Sequence, residues 1–236
     1  MLRAKHLWRL HIGIRKTYPE YSSLWRPVST CTESGRLMPN KIKQYKFNSL
    51  ILKQKFKDHK KFKKKILKCW EDGSDKSFIA KDDYYNDKLL KSDWPEADNW
   101  NRPWVKLAGN SFYQHLKLFA QHLGYMDISL HKLWYQQYGN KDFHNWHTHY
   151  GNYTGAYYLE LDKKSPMTEF LFPDNLNNCF TVDVEEGDMI FFPCWLIHRS
   201  ESNQSKKRKS IVSWNVNFDN IQKKYLYTRD KVEKIS

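Results

Sequence analysis

Two textures of apolar and polar positions divide the chain. Downstream of Asp58, Phe62, Ile66 and Trp70 recur at four-residue spacing, which predicts an amphipathic helix with Asp58 as N-cap. Lys57, Lys60, Lys61, Lys63, Lys64, Lys65 and Lys68 fall on its other face, a solvated stripe in the ordinary reading. A second helix is expected over Ser111–Leu123, with Asn110 as cap, Phe112, Leu116, Phe119 and Leu123 as its apolar stripe, and Gly124 as its stop. Residues 71–109 between them read as irregular, with Asp93-Trp94-Pro95 and Arg102-Pro103-Trp104 as turn-like aromatic anchors. Upstream, YKFNSLILKQKF (45–56) is β-like in parts. After Gly124 the runs become short and alternating: SLHKLWYQQY, TGAYYLEL, TEFLF, FTVDV, DMIFF and KSIVSWNVNF, divided by Gly, Pro, Asn and Asp. Helices first and strands second predict an α+β fold, mainly β, in which two helices brace one face of a sandwich or jelly roll.

Composition narrows the class. A 236-residue chain with 40% hydrophobic and 16% aromatic residues can bury a substantial core, and it has no apolar run of spanning length. Cys31, Cys69, Cys179 and Cys194 lie far apart without a C-x-x-C pair, which argues against a disulfide framework or zinc knuckle and fits a reducing, cytoplasm-like compartment. The net charge of +14 is clustered. Residues 1–37 hold seven basic and two acidic residues, and further runs occupy Lys57–Lys68 and Lys206–Lys209. The first 37 residues show no sustained period and fit neither a presequence nor a signal peptide. Two readings stand for them: translation from Met38, or a flexible basic extension ahead of a single domain over 38–236.

Histidine carries the chemistry. His144, His147 and His149 fall within FHNWHTHY, and on a strand His147 and His149 point to the same side, where two imidazoles can hold one ion. Downstream, EEGDMIFFPCWLIHRS turns at Glu186-Gly187-Asp188 and ends an apolar strand before His198, a distal third ligand that would leave coordination positions open. Eleven residues later comes Lys209, which shares one side of its strand with Ile211, Ser213 and Asn215. A cation beside a metal suits a dicarboxylate co-substrate.

HTHYGNYTGAYYL, GDMIFFPCWLIHRS and KSIVSWN, in that order, resemble the Fe(II)/2-oxoglutarate-dependent oxygenases of the prolyl-hydroxylase-like group over about residues 125–218. The resemblance implies a double-stranded β-helix (jelly roll) using Fe(II), 2-oxoglutarate and O2, most simply as a hydroxylase. It makes His147, His149 and His198 the metal ligands and catalytic residues. Lys209 takes the place of the Arg that pairs 2-oxoglutarate, with neighbouring Arg208 as the alternative. Ser213, Asn215, Tyr135 and Tyr158 become candidate co-substrate contacts. Position 149 is His where the wider superfamily has a carboxylate, so Asp142 is the alternative second ligand. His144 would lie near the mouth, and Trp146, Trp195 and Trp214 would shield the site or fill the barrel.

Two rivals follow from the same residues: a three-His cupin-type dioxygenase that does not use 2-oxoglutarate, and a non-catalytic basic jelly-roll module binding a polyanion through Lys57–Lys68 and Lys206–Lys209. The substrate, whether protein, nucleic acid or small anionic metabolite, would meet loops in 71–109 and 162–180, including Phe172-Pro173-Asp174. No membrane partner is expected.

Overall fold

The computed structural model describes residues 51–72 and 87–222. The chain divides into two units, Met1–Asn48 and Ser49–Ser236, and all described residues lie in the second; the expectations for residues 1–37 lie outside them.

The elements, in chain order, are β1 (Leu52–Lys55), α1 (His59–Glu71), β2 (Lys91–Ser92), a 3-10 turn (Trp94–Glu96), α2 (Pro103–His122), β3 (Tyr125–Tyr138), β4 (His144–His147), β5 (Tyr153–Glu160), β6 (Thr168–Phe172), β7 (Asn175–Thr181), β8 (Asp188–Pro193), β9 (His198–Ser200) and β10 (Lys209–Ile221). Six strands form one antiparallel sheet in the order β1-β8-β5-β10-β3-β2, and four form a second in the order β4-β9-β6-β7. This is the expected jelly roll braced by helices. Gly187 adopts the left-handed region at the turn into β8 (φ 89°), where Asp188 N donates to Glu185 O.

Two cores follow from strand alternation. On β10, Val212, Trp214 and Val216 join Tyr135, Tyr157 and Phe191 under the helices, against Ile66, Trp70, Trp104 and Phe112. The opposite parity, including Ile211, Tyr158, Ala156, Ile190 and Phe192, packs between the sheets against Phe170 of β6. Gly155 sits where β5 is tightest: a Cβ there would lie 2.0 Å from Ile190 O and 2.5 Å from the Trp214 ring.

Helix α1 forms as expected, with Asp58 at its N-cap and Phe62, Ile66 and Trp70 buried. Asp58 does not cap with its side chain; its carboxylate accepts from Ser111 Oγ on α2. Lys57, Lys60, Lys61, Lys64, Lys65 and Lys68 are exposed, and Lys63 pairs with Glu186. Helix α2 corrects the sequence expectation. It starts at Pro103, eight residues before Ser111, with Arg102 rather than Asn110 at its N-cap, so residues 103–109 are helical and not irregular. Pro103 supplies the fixed φ of a first turn, and Trp104, Val105 and Ala108 continue the buried stripe past Gly109 and Asn110. The two anchors converge on one network. Asp93 accepts from the Arg102 guanidinium, from Trp104 Nε1 (2.9 Å) and from Tyr135 N (2.7 Å), while Arg102 also donates to Leu133 O and Asn99 O. That network ties the 3-10 turn and the start of α2 to the middle of β3. Strand β7 begins at Asn175 and ends at Thr181, earlier than the FTVDV run.

Candidate metal centre

The smaller sheet presents the histidines. His147 ends β4 and His198 begins β9, paired in register, and His149 follows two residues later with its amide donating to Cys194 O (2.9 Å). One nitrogen from each of His147, His149 and His198 falls within a cluster no wider than 4.8 Å, the one group of metal-binding geometry among the described residues. Backbone carbonyls fix two of the rings. His147 Nδ1 bonds Asn145 O (2.7 Å) and His198 Nδ1 bonds Leu196 O (2.8 Å), which places each proton on Nδ1 and leaves the Nε2 lone pair for an ion. His198 Nε2 lies 3.2 Å from His149 Nε2. Burial, and then the neighbouring imidazoles, hold His147 and His149 well below the ordinary histidine range. Burial takes His198 down to about 4. All three are therefore neutral donors near pH 7, the chemistry a divalent ion requires.

His144 is not in this cluster. Its ring stacks on His147 at 3.9 Å, while Nε2 meets Asp87 (3.0 Å) and Nδ1 meets Gln136 Nε2 (3.0 Å). Asp142 is engaged elsewhere: its carboxylate accepts from Gly139 N (2.7 Å) and faces Lys88, closing the turn between β3 and β4. No carboxylate joins the three imidazoles among the described residues.

A narrow pocket runs from the imidazoles between the sheets, lined by Gln136, Tyr138, Thr168, Phe192, Ser200 and Ser213. Lys209 lies behind that lining, bonded to Ser200. Fully buried, Lys209 Nζ donates to Ser200 Oγ (2.8 Å) and Pro166 O (2.8 Å) and lies 5.0 Å from the centre of the Tyr138 ring. Among the described residues it makes no ion pair with a carboxylate, and burial lowers its pKa to about 7. Arg208 has the opposite parity. It points outward, where it bonds Glu160 (2.7 Å) and Glu71 (3.1 Å).

Ser213 lines the pocket, and Asn215 is buried on the same strand face with its Oδ1 unbonded. Tyr158 faces inward, but its hydroxyl is engaged by Thr168, through Oγ1 (2.7 Å) and the backbone N–H (3.3 Å). Tyr135 is placed away from the pocket, in the core under the helices, stacked on Trp70 at 4.0 Å. Parity on β3 selects Gln136 and Tyr138 instead, and the same alternation after His198 selects Ser200; none of the three was among the expected site residues. Trp214 fills the helix-side core, Trp195 is exposed, and Trp146 lies under the Arg199 guanidinium. The β6–β7 hairpin, with Phe172-Pro173-Asp174 at its turn, extends past the level of His198, as its pairing of Phe170 with His198 requires.

Behind Lys209, the loop from β9 to β10 is organised by Asn203, which is wholly buried. Its side-chain amide donates to the carbonyls of Tyr138 (3.3 Å), Gly139 (3.1 Å) and Lys207 (3.1 Å), and its backbone bonds Asp142 O and Lys141 N (both 2.8 Å).

Known proteins share the fold described above. The phytanoyl-CoA dioxygenase (PhyH) family matches residues 160–211. No curated protein matches the chain by sequence. Among solved structures, the non-heme α-ketoglutarate-dependent epimerase SnoN from nogalamycin biosynthesis superposes with a TM-score of 0.55 at 12% identity, covering 73% of this chain and 78% of that one. A Pseudomonas putida prolyl-4-hydroxylase superposes at 0.52 and 13% identity, covering 73% and 93%. A Trichoplax adhaerens prolyl hydroxylase superposes at 0.50 and 16% identity, covering 70% and 82%. The chain thus has the double-stranded β-helix fold of these enzymes, and its resemblance to Fe(II)/2-oxoglutarate oxygenases extends from its motifs to its architecture.

Proposed function

We propose that the protein is a non-haem Fe(II)- and 2-oxoglutarate-dependent oxygenase, most simply a hydroxylase. The observation that carries this reading is Lys209: a fully buried ammonium without a carboxylate partner among the described residues, bonded to Ser200 of a pocket that opens onto three neutral imidazoles. A buried cation without a counter-ion is costly, and a dianionic ligand would relieve that cost.

His147, His149 and His198 would hold the metal. Iron with 2-oxoglutarate and O2 supplies oxidation of the substrate coupled to decarboxylation of 2-oxoglutarate. Lys209 would exchange Pro166 O and Ser200 Oγ for the distal carboxylate. Lys209 offers a point charge without the two-pronged geometry of Arg. Tyr138, Ser200 and Ser213 would orient the ligand, and Phe192 and Phe170 keep water from the inner wall. His144, anchored by Asp87 and Gln136, would keep the His147 ring from turning. The related SnoN has been solved with Fe3+ and α-ketoglutarate.

Anaerobic addition of Fe(II) and then 2-oxoglutarate should produce a weak visible charge-transfer band, lost in His198→Ala and weakened in Lys209→Ala. The all-imidazole ligand set favours a second reading, a three-His dioxygenase that does not use 2-oxoglutarate. That reading takes over if Fe(II) binds and 2-oxoglutarate gives no band.

A further inference from the structure

The fold brings together two basic runs that lie about 140 residues apart in sequence. Arg208, in the loop before β10, donates to Glu71 at the last turn of α1, which brings the loop that carries Lys206 and Lys207 to the end of the helix that carries Lys60, Lys61, Lys64, Lys65 and Lys68, with Lys57 just ahead of it. None of those six helix-side lysines makes an ion pair among the described residues, and neither does Lys206; Lys207 pairs with Asp162. The acidic groups beside this surface include Asp58, Glu71, Asp72, Glu160, Asp162 and Glu186; Arg208 occupies Glu71 and Glu160, Lys63 occupies Glu186, and Ser111 holds Asp58.

Helix α1 is arranged against its own stability. Lys60 and Lys64, Lys61 and Lys65, and Lys64 and Lys68 are like charges four residues apart, and the acid at its N-terminus, Asp58, is already engaged by Ser111. An anionic partner would offset that repulsion. We propose that α1 and the β9–β10 loop form a second binding surface, separate from the metal pocket, for the phosphate backbone of a nucleic acid.

Three features select that partner. Lysines one helical turn apart step by about 6 Å along the axis, comparable to the step between neighbouring phosphates on a strand. The large apolar side chains of α1 are buried, which leaves no face to insert into a lipid surface. The stripe also lacks an exposed aromatic or apolar anchor of the kind protein interfaces rely on, whereas phosphate binding requires only charge.

The test is fluorescence anisotropy of a labelled, random-sequence 20-base-pair DNA duplex with the full chain across a salt series. The triple variant Lys60→Gln, Lys61→Gln, Lys64→Gln should weaken binding at least 10-fold in low salt. It should also flatten the slope of log K against log salt by about 2.7, which is about 0.9 for each phosphate that the variant no longer neutralises. A charge-matched control, Lys91→Gln, Lys106→Gln, Lys132→Gln, should change affinity less than 3-fold. Equal weakening in the two variants would overturn the proposal, since net charge alone would then account for binding. Displacement of the duplex by polyglutamate at equal charge concentration would also overturn it, in favour of an acidic protein partner. Gln keeps helix propensity and removes repulsion, so the variant should remain folded, checked by an unchanged or raised Tm.

Discussion

Two buried cations in this protein are handled in opposite ways. Arg102, 5% exposed, is fully engaged: the Asp93 carboxylate meets its guanidinium, and the carbonyls of Leu133 and Asn99 take further donors. Lys209, 0% exposed, has a hydroxyl, a carbonyl and two aromatic rings, and no negative charge among the described residues. The first arrangement is complete within the chain and serves the fold. The second leaves a buried amine that either sheds its proton or, on the proposed function, takes its counter-charge from a bound ligand.

The strongest way to test the contrast is to remove the paired cation. Arg102→Met should destabilise the domain by about 3–5 kcal/mol in urea unfolding, because Asp93 is left buried and unbalanced, while metal binding by the folded fraction stays as in the wild type. Lys209→Met should do the reverse. Stability without ligand should hold or rise by about 1 kcal/mol, and 2-oxoglutarate binding, read by calorimetry, should be lost. The sign with pH follows from the same group. Its folded pKa of about 7 lies below the ordinary lysine value of 10.5, so between those values the unfolded chain binds more protons. Stability of the ligand-free protein should therefore climb as pH rises through that window, with the Lys209 share of the slope absent in Lys209→Met. The smallest effect belongs to a cation that is neither buried nor paired. Lys60→Glu puts an acid in the first turn of α1, four residues before Lys64, and should raise stability by about 0.5 kcal/mol, read as a small upward shift in Tm.

The legible part of this protein is the part governed by local period. The alternation that separates Lys209 from Arg208 is a property of neighbouring residues, and β10 follows it; the same holds for Phe62, Ile66 and Trp70 on α1. The expectation failed where partners come from elsewhere in the chain. Tyr135 and Tyr138 belong to one run of polar and aromatic residues, and only the pairing of β3 with β10, which contains a register shift between Asn215 and Val216, decides which faces the pocket. The start of α2 was obscured by Gly109, Asn110 and Ser111 in mid-helix. They are tolerated there because Trp104 and Val105 pack against the core on one side and Ser111 holds Asp58 on the other. The Asp87–His144–Gln136 chain joins three separate segments and leaves no periodic trace in any of them.

Asn203 gives the loop beneath Lys209 a particular thermodynamic character. Its bonds to Tyr138, Gly139, Lys207 and Asp142 fix the eight residues between Ser200 and Lys209 during folding, so the chain entropy of that loop is surrendered once, when the domain forms. On the proposed function, an arriving anion would meet an ammonium whose loop is already ordered, and its affinity would not be reduced by ordering that loop.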